Sequence, residues 1–481
     1  MTHADLRGQE CPRRTGGAMF FEQFYLTCLA HASYMIGSGG EAAVVDPQRD
    51  VDLYLKVAAE QNLKIRHIFE THLHADFVSG HKELAARTGA QIYIGAQAGA
   101  AFPHVPLADR FEVKVGSIRV RALETPGHTP ESVCFVVIDE EKSSQPWAVL
   151  TGDTLFIGDV GRPDLSRTHT PQQLAALLYD SLHRKLLTLP DATLVYPAHG
   201  AGSLCGRSMR AERSSTIGTE RLTNYALQIA SREEFVRQLT ANLPARPDYF
   251  LEDAEINRSG ATALTELSPL APLTPAELQT MLHAGANVID VRPGDQFAAG
   301  HVPGSIGIAL SGQFASWAGG ILGIHSKPIL VADSDAQVEE ARMRLARVGI
   351  EHVGGFLAGG FAAWQKAGMP VLVTPQISPH DLGKKLQEGS VRVLDVRREG
   401  EWQAGHIAQA DWRALDTFPH GLPVLDGNHP IAVHCKSGYR SMIACSLMER
   451  AGHRNVINVA GGFDAWQAAG LPEVAGQLVK A

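Results

Sequence analysis

The segment VIDVRPGDQFAAGHVPG, starting at Val288, recurs as VLDVRREGEWQAGHIAQ, starting at Val393. Asp290 and Asp395 stand 105 positions apart, as do His301 and His406. Further on, AGGFAAWQKAG (358–368) returns as AGGFDAWQAAG (460–470), 102 positions later. A copy of roughly 100 residues is a domain-sized unit and not one turn of a solenoid. Within each copy a short β-branched run leads into a helix-like stretch. A second apolar run follows, PILVAD in one copy and PIAVHC in the other. Strands alternating with helices call for a parallel sheet covered on its faces. At roughly 150 residues per domain, 481 residues leave room for one further, larger unit before the repeats.

That unit spans residues 19–255. Short apolar runs (AAVVDP, IRHIFETH, QIYIG, WAVLTGD, TLVYPAHG) alternate there with turns and some helices. Residues 1–18 read as an irregular extension. Residues 256–272 lack an amphipathic period and read as a linker. A boundary near Thr374-Pro375 then separates repeats over 273–375 and 376–481. The chain carries 43 basic and 51 acidic residues, a formal net charge of −8, which gives no support for nucleic-acid binding. No apolar run approaches about 18 residues, so no transmembrane helix is expected. The first residues lack the apolar core of a secretory signal. The six cysteines form no CxxC pair, which suits reduced thiols and a cytoplasmic location.

Histidines gather in four motifs, each where a strand gives way to a loop. They are Thr71-His72-Leu73-His74-Ala75-Asp76-Phe77, Pro126-Gly127-His128-Thr129, Thr151-Gly152-Asp153-Thr154 and Tyr196-Pro197-Ala198-His199-Gly200. Loops at one edge of a rigid sheet can bring side chains to a point. Imidazoles and a carboxylate converging in this way suit a metal ion.

The ordered set resembles the metallo-β-lactamase superfamily over residues 19–255. The resemblance implies an αββα sandwich with a metal at one sheet edge. Hydrolytic members such as glyoxalase II have a further histidine after the motif's aspartate, used for a second metal. Phenylalanine stands there in this chain, and Phe77 cannot ligate. A single metal on two histidines and one carboxylate, with open positions, suits Fe(II) and O₂. The site is therefore similar to that of the persulfide dioxygenases. The resemblance implies one Fe(II) per chain on His72, His128 and Asp153, with His74, Asp76 and His199 as supporting groups. Arg162, in the segment LFIGDVGRPD, is a candidate to hold a carboxylate of the thiol substrate; an ion pair with Asp164 is the alternative. Cys205 and Cys28 are candidates to line the metal pocket, with ordinary packing as the alternative.

The second chemical signal is His434-Cys435-Lys436-Ser437-Gly438-Tyr439-Arg440-Ser441, between the apolar run Ile431-Ala432-Val433 and the helical run SMIACSLMERAG. Unpaired backbone N–H groups and the positive end of a helix dipole favour a thiolate, and equally a persulfide, at Cys435. With Asp395, the GHI step and the AGGF…W ending, this loop resembles the rhodanese family of sulfurtransferases. Four residues separate Cys435 from Arg440, the short loop that the resemblance associates with sulfur transfer; related phosphatases have one more. Lys436, Ser437, Gly438, Tyr439 and Arg440 are then the sulfur-binding loop. In the first repeat Asp333 stands at the cysteine's position, so that copy is expected to be non-catalytic.

The expected fold class is thus α/β: a metallo-β-lactamase sandwich followed by two rhodanese-like domains with parallel sheets. The whole chain resembles fused persulfide dioxygenase–sulfurtransferases of sulfide detoxification. The implied partners are a low-molecular-weight thiol persulfide, O₂ and sulfite or thiosulfate, with no nucleic acid and no membrane, and the resemblance allows a homo-oligomer. Two alternatives stand beside this reading. One is a zinc thioesterase of the glyoxalase II kind fused to a sulfurtransferase. The other is a non-enzymatic persulfide sensor or carrier.

Overall fold

Two six-stranded sheets lie face to face in the N-terminal unit of the computed structural model. The first runs in chain order through Phe20–Leu26, His31–Ser38, Glu41–Val45, Lys64–Phe69, Gln91–Gly95 and Val105–Leu107. The second runs from Ser215–Thr216 through Leu194–Pro197, Ala148–Gly152, Val133–Asp139 and Ile118–Glu124 to Glu112–Val115. The structure describes residues 19–241, 243, 245–423 and 429–476; the expected extension over 1–18 lies outside them. By contacts the chain divides into Met1–Leu267 with Ala346–Gly349, and Ser268–Leu345 with Ile350–Ala481.

Alternation places the inner faces. In Ile118–Glu124, Ile118, Val120 and Ala122 are buried while Arg119 and Arg121 are half-exposed. Period two is what a strand buried on one side requires. Strands covered on both sides read differently: every residue of His31–Ser38 and Val133–Asp139 is buried. Tyr34, Ile36, Val45 and Phe69 of the first sheet meet Val120, Phe135, Val137 and Leu150 of the second in one core. Outside the first sheet, Tyr54 and Leu84 of helices Asp52–Glu60 and His81–Thr88 pack on Met35, Val44 and Ile68. Outside the second, Leu178 and Leu182 of helix Pro171–Arg184 and Phe235 of helix Arg232–Thr240 pack on Val136 and Val149. This is the αββα sandwich.

Helix Phe250–Ser259 runs into the stretch expected to be a linker. Its buried side chains include Asp253 and Asn257 as well as Phe250, which is why it shows no apolar period. The Asn257 amide donates to the carbonyls of His74 (2.7 Å) and Phe77 (2.8 Å) and accepts from the Ser79 N–H (2.8 Å). It clamps the loop that carries His72 and Asp76.

The two repeats form two five-stranded, all-parallel sheets of the same strand order. One is Pro272–Leu273, Gly355–Leu357, Ile329–Val331, Val288–Asp290, Ile306–Gly307. The other is Gln376–Ile377, Val456–Val459, Ile431–His434, Arg392–Asp395, Ala410–Trp412. The repeated DVR motif is a buried ion pair in each copy, Asp290–Arg292 and Asp395–Arg397, with the guanidinium over Phe361 or Phe463. Glycine is required at Gly462: its φ is +60°, and a Cβ there would strike the carbonyls of Cys435 and Lys436. Phe463 N–H then reaches the Cys435 carbonyl at 2.7 Å.

Candidate metal centre and sulfur-transfer loop

His72, His128 and Asp153 come together from three loops at one edge of the sandwich. The Nε2 atoms of His72 and His128 lie 3.8 and 3.4 Å from Oδ2 of Asp153. All three atoms are buried and have no hydrogen-bond partner. The far side of each ligand candidate is tied. Thr71 Oγ1 donates to Asp46 (2.9 Å) and accepts from His72 Nδ1 (2.9 Å). His128 Nδ1 donates to the carbonyl of Arg162 (2.9 Å), and Asp153 Oδ1 accepts a hydrogen bond from His199 Nδ1 (2.7 Å). Each ring keeps its proton on Nδ1, so Nε2 keeps its lone pair. Glycine permits the approach twice. A Cβ at Gly161 would strike the Asp153 carbonyl and the His128 ring, and one at Gly152, at φ +52°, would strike Thr71.

Charge follows the same plan. Burial drives His72 and His128 below the usual imidazole range, so both are neutral. Burial opposes the charge on Asp153, but His199, His128 and His72 hold it well below the usual carboxylate range. Two neutral imidazoles and one carboxylate, each with a free donor atom, fit a divalent metal.

The three residues expected as supporting groups lie beside the trio. His199 Nε2 lies 2.9 Å from Asp76 Oδ2. Burial would lower its pKa, but Asp153 and Asp76 raise it well above the ordinary value, so His199 is an imidazolium between two carboxylates. His74 turns Nε2 to Asp46 (3.2 Å) and Glu70 (3.6 Å). The Phe77 ring is buried 4.4 Å from His74 and 4.0 Å from His31.

The sulfur groups divide. Cys205 Sγ shares a cluster with donor atoms of Asp153 and His199, all within 4.8 Å of one another. Burial, with Asp76 and Asp153 close by, raises its thiol pKa well above the usual range. Cys28 is half-buried and belongs to no such cluster among the described residues. Arg162 is ion-paired: Nε and Nη2 donate to Asp164 (2.6 and 2.8 Å) and Nη1 to the Leu204 carbonyl (3.2 Å). Its backbone N–H reaches the Cys205 carbonyl at 3.0 Å. Arg162 therefore straps the Cys205 loop to His128.

In the second repeat Cys435 is 1% exposed, and Sγ accepts the Gly438 N–H at 3.2 Å. Gly438 caps helix Tyr439–Arg450 with φ +102°. Arg440 makes two bonds to Glu401 (2.6 and 2.7 Å), which leaves exposed Lys436 as the cation of the loop with no such tie among the described residues. The first repeat has Gln296 and Val338 where the second has Glu401 and Arg440, and an exposed Asp333 where it has Cys435.

Sequence reasoning did not single out His31, Asp46, Glu70, Asn257 or Glu401. Asp46 closes an apolar strand, as His72 and Asp153 nearly do, and that position was the available signal. His31 opens the strand His31–Ser38, fully buried and with neither ring nitrogen hydrogen-bonded among the described residues. Nothing in its sequence neighbourhood marks it.

Fold and donor atoms together define a metal-binding αββα domain joined to a tandem of parallel α/β domains. Comparison with known families agrees. Residues 26–199 match the metallo-beta-lactamase superfamily, and 274–367 and 378–469 each match the rhodanese-like domain. The mitochondrial persulfide dioxygenase ETHE1 of Mus musculus is 32% identical over 48% of this chain and 84% of its own. A hydroxyacylglutathione hydrolase of Anaeromyxobacter dehalogenans is 40% identical over 35% of this chain and 60% of its own. The crystal structure of a metallo-beta-lactamase from Staphylococcus aureus superimposes with TM-score 0.64 at 33% identity, covering 71% of this chain and 99% of its own. The chain belongs to the metallo-beta-lactamase superfamily and carries two C-terminal rhodanese-like domains. Among the described residues no helix is long and apolar enough to cross a membrane.

Proposed function

We propose that the N-terminal domain is an iron-dependent persulfide dioxygenase and that the second repeat is its companion sulfurtransferase. The observation that carries this is the trio of free donor atoms on His72, His128 and Asp153, with Phe77 where a second site would need an imidazole. The three residues would hold one Fe(II) per chain, which supplies redox chemistry with O₂ on a low-molecular-weight thiol persulfide, giving sulfite and thiol. His199 fixes Asp153 so that Oδ2 faces the trio. Thr71 and the Arg162 carbonyl fix the two ligand rings. Phe77 fills the neighbouring space with an apolar ring. Cys205 and Cys28 are the thiols of this domain to test for a part in handling persulfide.

Cys435 carries the second activity. As thiolate it takes up a sulfane sulfur, and as persulfide it passes that sulfur on: Cys–S–S⁻ and SO₃²⁻ give Cys–S⁻ and S₂O₃²⁻. The Gly438 N–H and the N-terminus of helix Tyr439–Arg450 favour negative charge on that sulfur. The hydrolase relative keeps one other reading in view, a zinc thioesterase fused to a sulfurtransferase. Iron and zinc quantification with O₂ uptake on a panel of thiol persulfides decides between them. Zinc in the isolated protein with no O₂ uptake on any persulfide would overturn our reading.

A further inference from the structure

We propose that the repeat without a cysteine positions the sulfur-carrying loop of the other repeat, and that Tyr439 is the positioning residue through which it does so. This rests on the reading of Cys435 as the sulfur carrier.

Three successive residues after Gly438 are held from three directions. Arg440 is bound by Glu401, and Ser441 Oγ donates to Asn458 Oδ1 at 2.6 Å, both within the second repeat. Tyr439 reaches into the first repeat, where its hydroxyl donates to the Ala309 carbonyl at 2.8 Å. That acceptor is fixed. On either side of it the N–H groups of Ile308 and Leu310 donate to the carbonyls of Asp290 (3.0 Å) and Val291 (3.1 Å). Arg344 donates to the carbonyls of Leu310 (2.6 Å) and Gly312 (2.8 Å). The ring is seated as closely as the hydroxyl: a Cβ on Gly312 would lie 2.4 Å from it.

The rest of the helix is docked along the same face. Tyr439, Met442, Ser446 and Glu449 form one stripe of helix Tyr439–Arg450, at the three- and four-residue spacing of a helix face. Met442 packs with Phe297 and Ala298. Ser446 Oγ accepts the Gly307 N–H at 3.1 Å. Glu449 accepts from the Thr374 hydroxyl at 2.8 Å and lies 3.4 Å from His301 Nε2.

The first repeat holds its own loop in another way. Gln337 stands there at the place of Tyr439, and its side chain turns back to accept the Asp333 N–H at 2.8 Å. In the second repeat the side chain at that place leaves its own loop and binds the neighbouring repeat.

The anchor matters because of what precedes it. Gly438 has φ +102°, and glycine offers little resistance to rotation. Its N–H meets Cys435 Sγ at 3.2 Å. A hydrogen bond weakens steeply as its angle closes, and the field of a helix N-terminus fades within one turn. The orientation of the first helical residue therefore decides how much of either reaches the sulfur. That residue is Tyr439.

The test separates positioning from mere packing. Tyr439→Phe keeps the ring and removes the hydroxyl. Gly312→Ala leaves the second repeat unchanged and displaces the ring; Gly312 has no left-handed φ, so the backbone tolerates alanine. With full-length protein, thiosulfate as donor and cyanide as acceptor, each should lower kcat about three- to tenfold, the order of one neutral hydrogen bond. KM for thiosulfate should stay within twofold. Alkylation of Cys435 by iodoacetamide, followed by mass spectrometry of its peptide, needs no turnover and should slow by a similar factor. Thr374→Val removes a contact at the far end of the same stripe and should leave kcat and alkylation within twofold of wild type. Unchanged kcat and alkylation in either loop-end variant, or an equal loss in Thr374→Val, overturns the proposal. A rise in KM alone also overturns it, because Tyr439 would then be a substrate contact. If wild-type protein transfers sulfur neither from thiosulfate nor from glutathione persulfide, the sulfurtransferase reading fails, and the alkylation rates still decide whether Tyr439 sets the loop.

Discussion

Nδ1 of His199 lies 2.7 Å from Oδ1 of Asp153, and this contact decides which oxygen of Asp153 stays free. The other nitrogen of the same ring holds Asp76. Removing the imidazole strands two buried carboxylates. His199→Ala should therefore cost metal-free protein about 3–5 kcal/mol, the order seen when one partner of a buried ion pair is lost. The pH dependence has a definite sign. The His199 pKa is raised, so its contribution is complete below the ordinary imidazole range and is lost as pH rises through the raised value. The Asp153 pKa is depressed, so its contribution is lost only as pH falls through that low value. The Tm gap between wild type and His199→Ala should be widest at mildly acidic pH and narrow on the alkaline side. A gap that widens with alkalinity would contradict the pairing.

His72→Ala, His128→Ala and Asp153→Ala each remove one of three donor atoms. Each should lose iron as well as persulfide-driven O₂ uptake, measured by metal analysis and an oxygen electrode. Asp46→Asn tests the support behind them. Asp46 accepts from Thr71, which orients His72. Loss of such a partner typically weakens metal binding about 10–100-fold. Full iron in any of the three alanine variants would refute the ligand set.

Phe77→His should recruit a second metal. Donor atoms of His74, Asp76 and His199 already lie within 4.8 Å of one another, and the Phe77 ring packs beside His74. An imidazole at residue 77 adds a ligand to that cluster. The measurement is the metal-to-protein ratio after expression with iron and zinc. One iron and no added zinc would mean that something other than Phe77 keeps the site mononuclear.

Much of this was legible in the sequence because the chemistry sits at strand ends. His72, His128, Asp153 and His199 each stand where a strand gives way to a loop, and Cys435 joins a strand to a helix. Such motifs keep their spacing whatever the surrounding packing does. The 105-residue repeat likewise announced two similar sheets. Three-dimensional neighbours were not legible. His31 meets His199 through an isolated bridge between distant segments, and Asn257 reaches His74 across 183 positions. Arg162 could be read as a substrate cation or as the partner of Asp164, and the structure shows it paired with Asp164. The helix that runs into the linker was not legible because its buried side chains include Asp253 and Asn257.

Cys435→Ser should abolish sulfur transfer and leave iron content and persulfide-driven O₂ uptake largely intact. A serine hydroxyl is a poor nucleophile near neutral pH and cannot hold sulfane sulfur. Products should shift from thiosulfate towards sulfite. Full transfer by this variant would point to another thiol, with Cys205 first because it shares a cluster with Asp153 and His199.

Restoring a cysteine to the first repeat should not restore the activity. Asp333→Cys in the Cys435→Ser background places a thiol after the strand Ile329–Val331, as Cys435 follows Ile431–His434. The surroundings differ in two ways. Ser334-Asp335-Ala336 follows where the active copy has Lys436-Ser437-Gly438, so a carboxylate stands near the new sulfur. A carboxylate there raises a thiol's pKa and repels a persulfide anion. The Glu401–Arg440 pair, with its two bonds of 2.6 and 2.7 Å, is also missing, because Gln296 and Val338 occupy those places. Sulfur transfer from thiosulfate to cyanide should stay at the Cys435→Ser background. The discriminating control is Glu401→Gln in otherwise wild-type protein. If the pair holds the loop, this change alone should cut transfer by about tenfold, the order expected for about 1.4 kcal/mol from one lost charge-assisted contact. Activity appearing in the Asp333→Cys variant would mean that the strand–helix turn alone suffices, and that neither the ion pair nor the loop's charge is needed.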